Sequence, residues 1–442
     1  MKFSGVFGRA VVLFLGGISF FVVSTAHAET MRIVNWNIEA DLNSDSTGTF
    51  AGTNYVAPAG SGLPSGGVGA ITAALQAIGS LSLGDGAGSS GHPIDVLALE
   101  EVGSNTSVST STYTSVAPSA TEMNAIVSAL NNIYGANTYA YSTAADSISG
   151  GEGGGPNALI YNTNTVSIVS ATSIGVASGY SSPPGAFRAP MQYQIQPVGY
   201  SSAAQFYVDV SHAKSGSSSS DALDRNAEAQ EIVATTPVTS GAHVLSVGDF
   251  NITGGSSEAT YQTMLTKFND VGDPSDVWAD GSSSTTQYAY LESEHGFDVE
   301  YRDDLQFASA SAKTGSGSPG IQYDANSYTV LGNFGSPSLY GNNVNTQTGT
   351  YTFAGLNPSQ NATENQNLLT ALGGTENGAN DNNDTAASDH VPIVADYDIV
   401  GISAPEPCGA AILLLGSMTL MLRRPHRGAA RFCGYHIPLA SP

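Results

Sequence analysis

Seven short runs rich in β-branched and apolar residues, interleaved with helical patterns, constrain this chain more than any other feature. The runs are "MRIVNWNI" (31–38), "IDVLALEEV" (94–102), "NALIYNT" (157–163), "FYVDVSHA" (206–213), "HVLSVGDFN" (243–251), "DLQFAS" (304–309) and "VPIVADYDI" (391–399). Each has the length and residue types of a buried strand. Helices are predicted over 68–81, 120–134, 222–235 and 257–268. The second opens on Ser119, Ala120, Thr121 and Glu122, a capping-box pattern ahead of Ile126, Val127, Leu130 and Ile133. Strands alternating with helices imply a layered α/β or α+β domain. The stretches between them (43–67, 84–92, 103–119, 147–156, 214–220, 280–287 and the longest, 310–388) are rich in Gly, Ser, Thr and Asn and read as polar surface loops. In the last, Asp381 and Asp384 could hold calcium, but the spacing of a known calcium loop is missing and a solvated loop is the plainer reading.

With 442 residues, 41% hydrophobic, the chain can bury a sizeable core. Charge is scarce and one-sided, with a net value of −24. Between positions 29 and 403 seven Lys or Arg face 36 Asp or Glu, a body charge of −29. Affinity for a phosphate backbone needs clustered Lys and Arg, so a basic nucleic-acid groove and stable nucleic-acid binding are excluded. Contact with a phosphate must be local, or run through a bound cation. Both cysteines, Cys408 and Cys433, lie in the C-terminal tail, so the body carries no disulfide and no thiolate zinc site.

The two ends read as addresses. A basic start, an apolar run from Ala10 to Val23 and the ending Ala26, His27, Ala28 make residues 1–28 a secretory signal peptide. At the other end, Pro405, Glu406 and Pro407 precede fifteen mostly apolar residues, Cys408 to Leu422, and then Arg423 and Arg424. Residues 404–442 thus resemble the PEP-CTERM sorting signal of Gram-negative bacteria that make extracellular polysaccharide. That resemblance implies an exosortase-type processing partner, only transient membrane contact and a cell-surface or matrix location. Residues 428–442 extend past the basic cluster, where such signals usually stop.

The polar residues at the strand ends carry the chemistry. Asn37 follows "RIVNW", Glu101 follows "DVLALE", His212 follows "FYVDVS", Asp249 and Asn251 follow "HVLSVG", and Asp389 with His390 precede "VPIVADY". Strand ends hold loops on a rigid frame, which is where layered proteins place reactive groups. Taken singly, each fits a turn, a rim histidine or an exposed strand terminus. Together and in order, "NWNI", "DVLALEEV", "NALIYN", "FRAP", "SHAK", "GDFN", "YRDDLQFAS" and "SDH" resemble the endonuclease/exonuclease/phosphatase superfamily over about 31–399. The family includes deoxyribonuclease I, AP endonucleases, neutral sphingomyelinases and inositol polyphosphate phosphatases.

The resemblance implies a four-layer sandwich, two mainly antiparallel β-sheets packed face to face and flanked by helices, over residues 29–403. It implies metal binding by Glu101, Asn37 and Asp389, whose oxygen ligands suit Mg²⁺ first, or Mn²⁺ or Ca²⁺. It gives His212 and His390 opposite sides of the scissile phosphate and Asp304 the orienting of His390. Asp249 would align the attacking water, Asn251 would bond a phosphoryl oxygen, and Arg188 would contact the phosphate. Strand alternation favours Glu101 over Glu100, because Leu97, Leu99 and Glu101 would share one face. Asp303 stays a competing register for Asp304. The acid that supports the first histidine in the family is missing, leaving Glu152 or Asn157 nearby. Tyr161 reads as core, Lys214 as a rim charge and Arg225 as a surface partner of Glu228.

These readings imply a secreted metal-dependent phosphodiesterase, with DNA the first-choice substrate. The alternatives are a phospholipid (sphingomyelinase-like) or small-molecule phosphoesterase, and a matrix or surface protein whose site has degenerated.

Overall fold

A computed structural model describes residues 29–38, 55–57, 59, 61–84, 91–103, 114–148, 156–174, 188–237, 241–272, 302–315, 319–334, 344, 349–373 and 386–401. Residues 1–28 and 404–442, read from the sequence as a signal peptide and a sorting tail, the Asp381–Asp384 segment and Glu152 lie outside them. Its elements run β1 (Thr30–Asn37), α1 (Gly67–Ser80), β2 (Ile94–Glu100), β3 (Thr114–Val116), α2 (Ala120–Tyr134), β4 (Tyr139–Tyr141), β5 (Asp146–Ile148), β6 (Ala158–Asn162) and β7 (Val166–Ser173). They continue with β8 (Met191–Pro197), β9 (Phe206–His212), α3 (Ser219–Thr235), β10 (Val244–Asp249), α4 (Ala259–Met264), β11 (Phe268–Asp270) and β12 (Asp304–Ser309). The last are α5 (Ala310–Thr314), β13 (Gly320–Tyr323), β14 (Thr329–Val330), α6 (Pro358–Leu372) and β15 (Ile393–Val400).

Two sheets dominate. One has the order β13-β15-β1-β2-β6-β4, with β14 also on β15; the other has the order β11-β12-β10-β9-β8-β7. Each contains one parallel pair, β1 with β2 and β9 with β10, among antiparallel neighbours. Strand alternation divides the core into layers. Met31, Ile33, Val96, Ala98, Val208, Val210, Leu245 and Val247 fill the gap between the sheets. Val34, Trp36, Leu97 and Leu99 turn outward under α1, α2 and α6, while Val244, Leu305 and Phe307 lie under α3 and α4. The result is the predicted sandwich of two mainly antiparallel sheets flanked by helices.

Helix starts follow local chemistry. The Ser119 hydroxyl accepts from the Glu122 N–H, one half of the box read from the sequence. Complete capping boxes appear instead at Ser218/Asp221 on α3 and Asn357/Gln360 on α6, where Pro358 stands at the first turn. Helix α6 corrects the reading of 310–388 as a polar loop. Its Leu368, Leu369 and Leu372, with Val330, Leu331 and Phe353, belong to the helix-side core. Among the described residues no helix is long and apolar enough to cross a membrane.

Candidate active site

Both parallel pairs end at the same edge of the sandwich. Asn37 is level with Glu100 across β1 and β2, and His212, Asp249 and Asp304 form one row across β9, β10 and β12. The row faces the gap between the sheets, because these residues continue the alternation of Val208, Val210, Leu245 and Val247. Five strands separated in sequence therefore deliver their polar ends to one place.

Asn37 Nδ2 donates to Glu101 Oε1 at 3.1 Å and to Asp249 Oδ2 at 3.2 Å. His212 Nε2 lies 3.3 Å from Glu101 Oε1 and 3.4 Å from Asp249 Oδ2. His390 Nε2 approaches the same Asp249 oxygen at 3.8 Å, and Asp389 Oδ1 also at 3.8 Å. Asp389 joins Asn37 through Ser388, whose hydroxyl bonds Asn37 O at 2.7 Å and Asp389 Oδ1 at 3.3 Å. Asn251 donates its backbone N–H to Asp249 Oδ1 and its side-chain amide to Ala213 O. Arg188 Nη1 contacts His212 Nε2 and donates to Ala213 O at 3.2 Å. All nine residues singled out from the sequence thus join one connected cluster. Asp303 does not share the role left open with Asp304, since it is Asp304 Oδ2 that lies 2.7 Å from His390 Nδ1.

Glu101 reaches this cluster by a route the alternation argument did not anticipate. Leu97 and Leu99 face the helix-side core, away from the site. Glu101 stands one residue beyond β2 with φ 58°, and this left-handed turn breaks the alternation and swings its carboxylate to His212. Asn251, with φ 49°, does the same after β10. Non-glycine residues held there cost on the order of 1 kcal/mol or more and cluster at functional sites. Glu100 takes the face between the sheets, fully buried. Gly248 makes room for it: a Cβ there would lie 2.7 Å from Glu100 Oε1 and 2.0 Å from Ser211 O. Burial first, then the charges of Asp304 and Asp249, push the Glu100 carboxyl well above its usual range.

The two imidazoles are tuned in opposite directions. Burial alone would lower His390, but Asp304, Asp389 and Asp249 together raise it well above an ordinary imidazole. Burial, then Arg188, His390 and Lys214, hold His212 well below it. A cationic ring and a neutral one on opposite sides of a carboxylate can give and receive a proton respectively.

The supporting shell differs from expectation in one place. Arg225 is fully buried and pairs with Glu258, its Nε 2.8 Å from Oε1, while Glu228 accepts the backbone N–H groups of Arg188 and Lys214. Tyr161 packs against the core between the sheets, and Lys214 Nζ lies 3.7 Å from Asp221, both as read from the sequence.

Asn37, Glu101 and Asp389 offer only oxygen donors, two of them anionic, at the crowded end of four carboxylates. That donor chemistry fits a hard divalent cation. Among the described residues, no three His, Cys, Asp or Glu side chains already stand as a coordination sphere.

No family model matches the chain, and no curated protein matches it. Solved structures similar to it include an endonuclease/exonuclease/phosphatase family protein from Bacteroides thetaiotaomicron, 14% identical, over 84% of this chain and 98% of that one, with a TM-score of 0.44. The human Nocturnin catalytic domain with bound sulfate is 13% identical, over 84% and 95%, with a TM-score of 0.41. A mannosyl-6-phosphatase from Bacteroides thetaiotaomicron is 14% identical, over 83% and 99%, with a TM-score of 0.40.

Proposed function

We propose that the chain is an exported phosphoesterase that hydrolyses phosphodiesters with the help of a divalent cation, extracellular DNA being its first-choice substrate. The observation that carries this reading is the placing of His212 and His390 at 3.4 and 3.8 Å from one oxygen of Asp249, with Asp304 behind His390. His390, cationic and anchored by Asp304, protonates the departing oxygen. Asp249 aligns the attacking water, neutral His212 takes that water's proton on Nε2, and the Arg188 guanidinium holds the phosphoryl oxygens. Asn251 adds an amide contact to the same oxygens. Asn37, Glu101 and Asp389 would hold the cation, which when bound neutralises charge between carboxylates and phosphate and polarises the phosphoryl group. With a body charge of −29, capture of DNA is local and weak, suited to slow cleavage of strands screened by salt or divalent ions. Export through the signal peptide and exosortase processing of the tail would deliver the protein to the surface or matrix of a Gram-negative bacterium.

The test offers DNA, sphingomyelin and a generic phosphodiester to the purified protein with Mg²⁺, Mn²⁺ or Ca²⁺. The expected result is DNA loss that chelator abolishes. Turnover of lipid alone would move the substrate to phospholipid, and inactivity on all three would favour a binding protein of the matrix.

A further inference from the structure

The contact between Arg188 and His212 constrains where the imidazole keeps its proton. A guanidinium can only donate, so His212 Nε2 is the acceptor and the ring carries its hydrogen on Nδ1. That Nδ1 is buried and has no hydrogen-bond partner among the described residues. Leaving a buried donor unmatched costs roughly 1–3 kcal/mol.

An acceptor with the complementary deficit ends on a facing position. Asn157, 1% exposed, stands immediately before β6. Its backbone N–H and Nδ2 both donate to Asp146 Oδ2, at 3.0 and 2.9 Å. A flipped amide would set two oxygens against each other, so Asp146 fixes which way the group points. The remaining atom, Asn157 Oδ1, is buried with no hydrogen-bond partner among the described residues. Leu159 belongs to the core between the sheets, and alternation places Asn157 on that same face. Asn157 Nδ2 also lies 3.5 Å from Ala189 O. Ala189 is two residues beyond the Met191–Val210 pairing, which sets it level with His212.

We propose that Asn157 is the positioning residue of His212: in the working site its amide oxygen receives the Nδ1 hydrogen, and Asp146 holds the amide in place. A neutral amide backed by a carboxylate would then stand where the sequence lacks a direct acid partner. The two groups do not hydrogen-bond in this structure, where Arg188 draws on Nε2. Glu100 is the rival acceptor, its oxygens also buried without a hydrogen-bond partner among the described residues. Its carboxyl lies beside Gly248 on β10, and Glu100→Met separates it from Asn157. The kinetic consequence rests on the phosphoesterase reading, whereas the position of the proton does not.

The test is long-range ¹⁵N–¹H NMR of the full chain labelled at histidine, at one pH, with and without inorganic phosphate. The His212 signal is identified by its loss in His212→Gln. The native protein and Asn157→Asp are expected to show the hydrogen on Nδ1. With phosphate bound to draw Arg188 off Nε2, Asn157→Leu should move it to Nε2, and the variant should lower kcat about tenfold or more with little change in KM. An unchanged proton position in the phosphate complex of Asn157→Leu, or one lost in Glu100→Met instead, would overturn the proposal. Should Asn157→Leu fail to fold, Asn157→Asp decides, since loss of the Nδ1 hydrogen there contradicts the assignment. A protein inactive on every phosphoester would sink the functional reading and leave the NMR result standing.

Discussion

His390 and His212 approach one oxygen of Asp249, at 3.8 and 3.4 Å, but the two halves of the site are built differently. His390 has a carboxylate on its Nδ1, Asp304 at 2.7 Å, and its ring is raised well above the usual imidazole range. His212 has a guanidinium on its Nε2, no hydrogen-bond partner on its Nδ1 among the described residues, and a ring held well below that range. Two copies of one residue type are thus pushed in opposite directions, His390 upward by carboxylates against its burial and His212 downward by burial and then by Arg188. A carboxylate on Nδ1 can therefore outweigh burial, whereas an arginine on Nε2 adds to it.

The largest effect expected from breaking this contrast is at Asp304. Asp304→Asn removes the charge that holds His390 cationic, and kcat should fall by roughly 10²- to 10⁴-fold. Steady-state kinetics on a phosphodiester would check it; a loss below about tenfold would mean that His390 is not the proton donor. Arg188→Ala should act on the other half with a smaller loss, about tenfold to a hundredfold, because a charge-assisted contact of about 1.5–3 kcal/mol is removed. Both kcat and KM should shift, and an unaltered KM would separate Arg188 from the substrate.

A smaller effect tests the strand under His212. Asp209 lies three residues earlier on β9, fully buried, and burial pushes its carboxyl up to about 7 against hydrogen bonds from Gln192 and Thr236. Its folded pKa exceeds the unfolded one, so the folded chain binds a proton that the unfolded chain releases. This contribution is complete below about pH 4 and declines as pH rises through about 7. Urea unfolding should therefore show stability falling in that window, Asp209 adding about 1 kcal/mol per pH unit to what the similarly raised Asp95 and Asp146 contribute. Asp209→Asn should flatten that slope, and an unchanged slope would show that Asp209 titrates as if exposed.

How much of this could be read in the chain depended on what each signal rests on. Runs such as "FYVDVS" and "HVLSVG" marked their strands because burial on both faces demands apolar residues throughout. The edge-side strand β8 is not among the seven apolar runs because "MQYQIQP" alternates strictly, with Met191, Tyr193 and Ile195 buried between half-exposed glutamines. Helix α6 hid behind its Asn, Gln and Thr, although Asn357, Pro358 and Gln360 spell a helix start. The site residues were legible because polar side chains closing apolar strands are conspicuous. Glu101 stands out by the family pattern, but the alternation that supports it does not hold, and its backbone turn is what places it. Arg225 was assigned to Glu228 by helix spacing, and tertiary packing gave it to Glu258 instead. The Asp146–Asn157 pair carries no local signature, since residues eleven apart meet only through folding.

The central claim is that the two histidines serve one transition state from opposite sides. The most direct measurement is a double-variant cycle in kcat for His212→Ala, His390→Ala and both together, on a phosphodiester with saturating divalent cation. The account predicts that each single change is severe and that the pair costs little more than the worse of the two. Losses that simply multiply, or a single variant with native turnover, would contradict it.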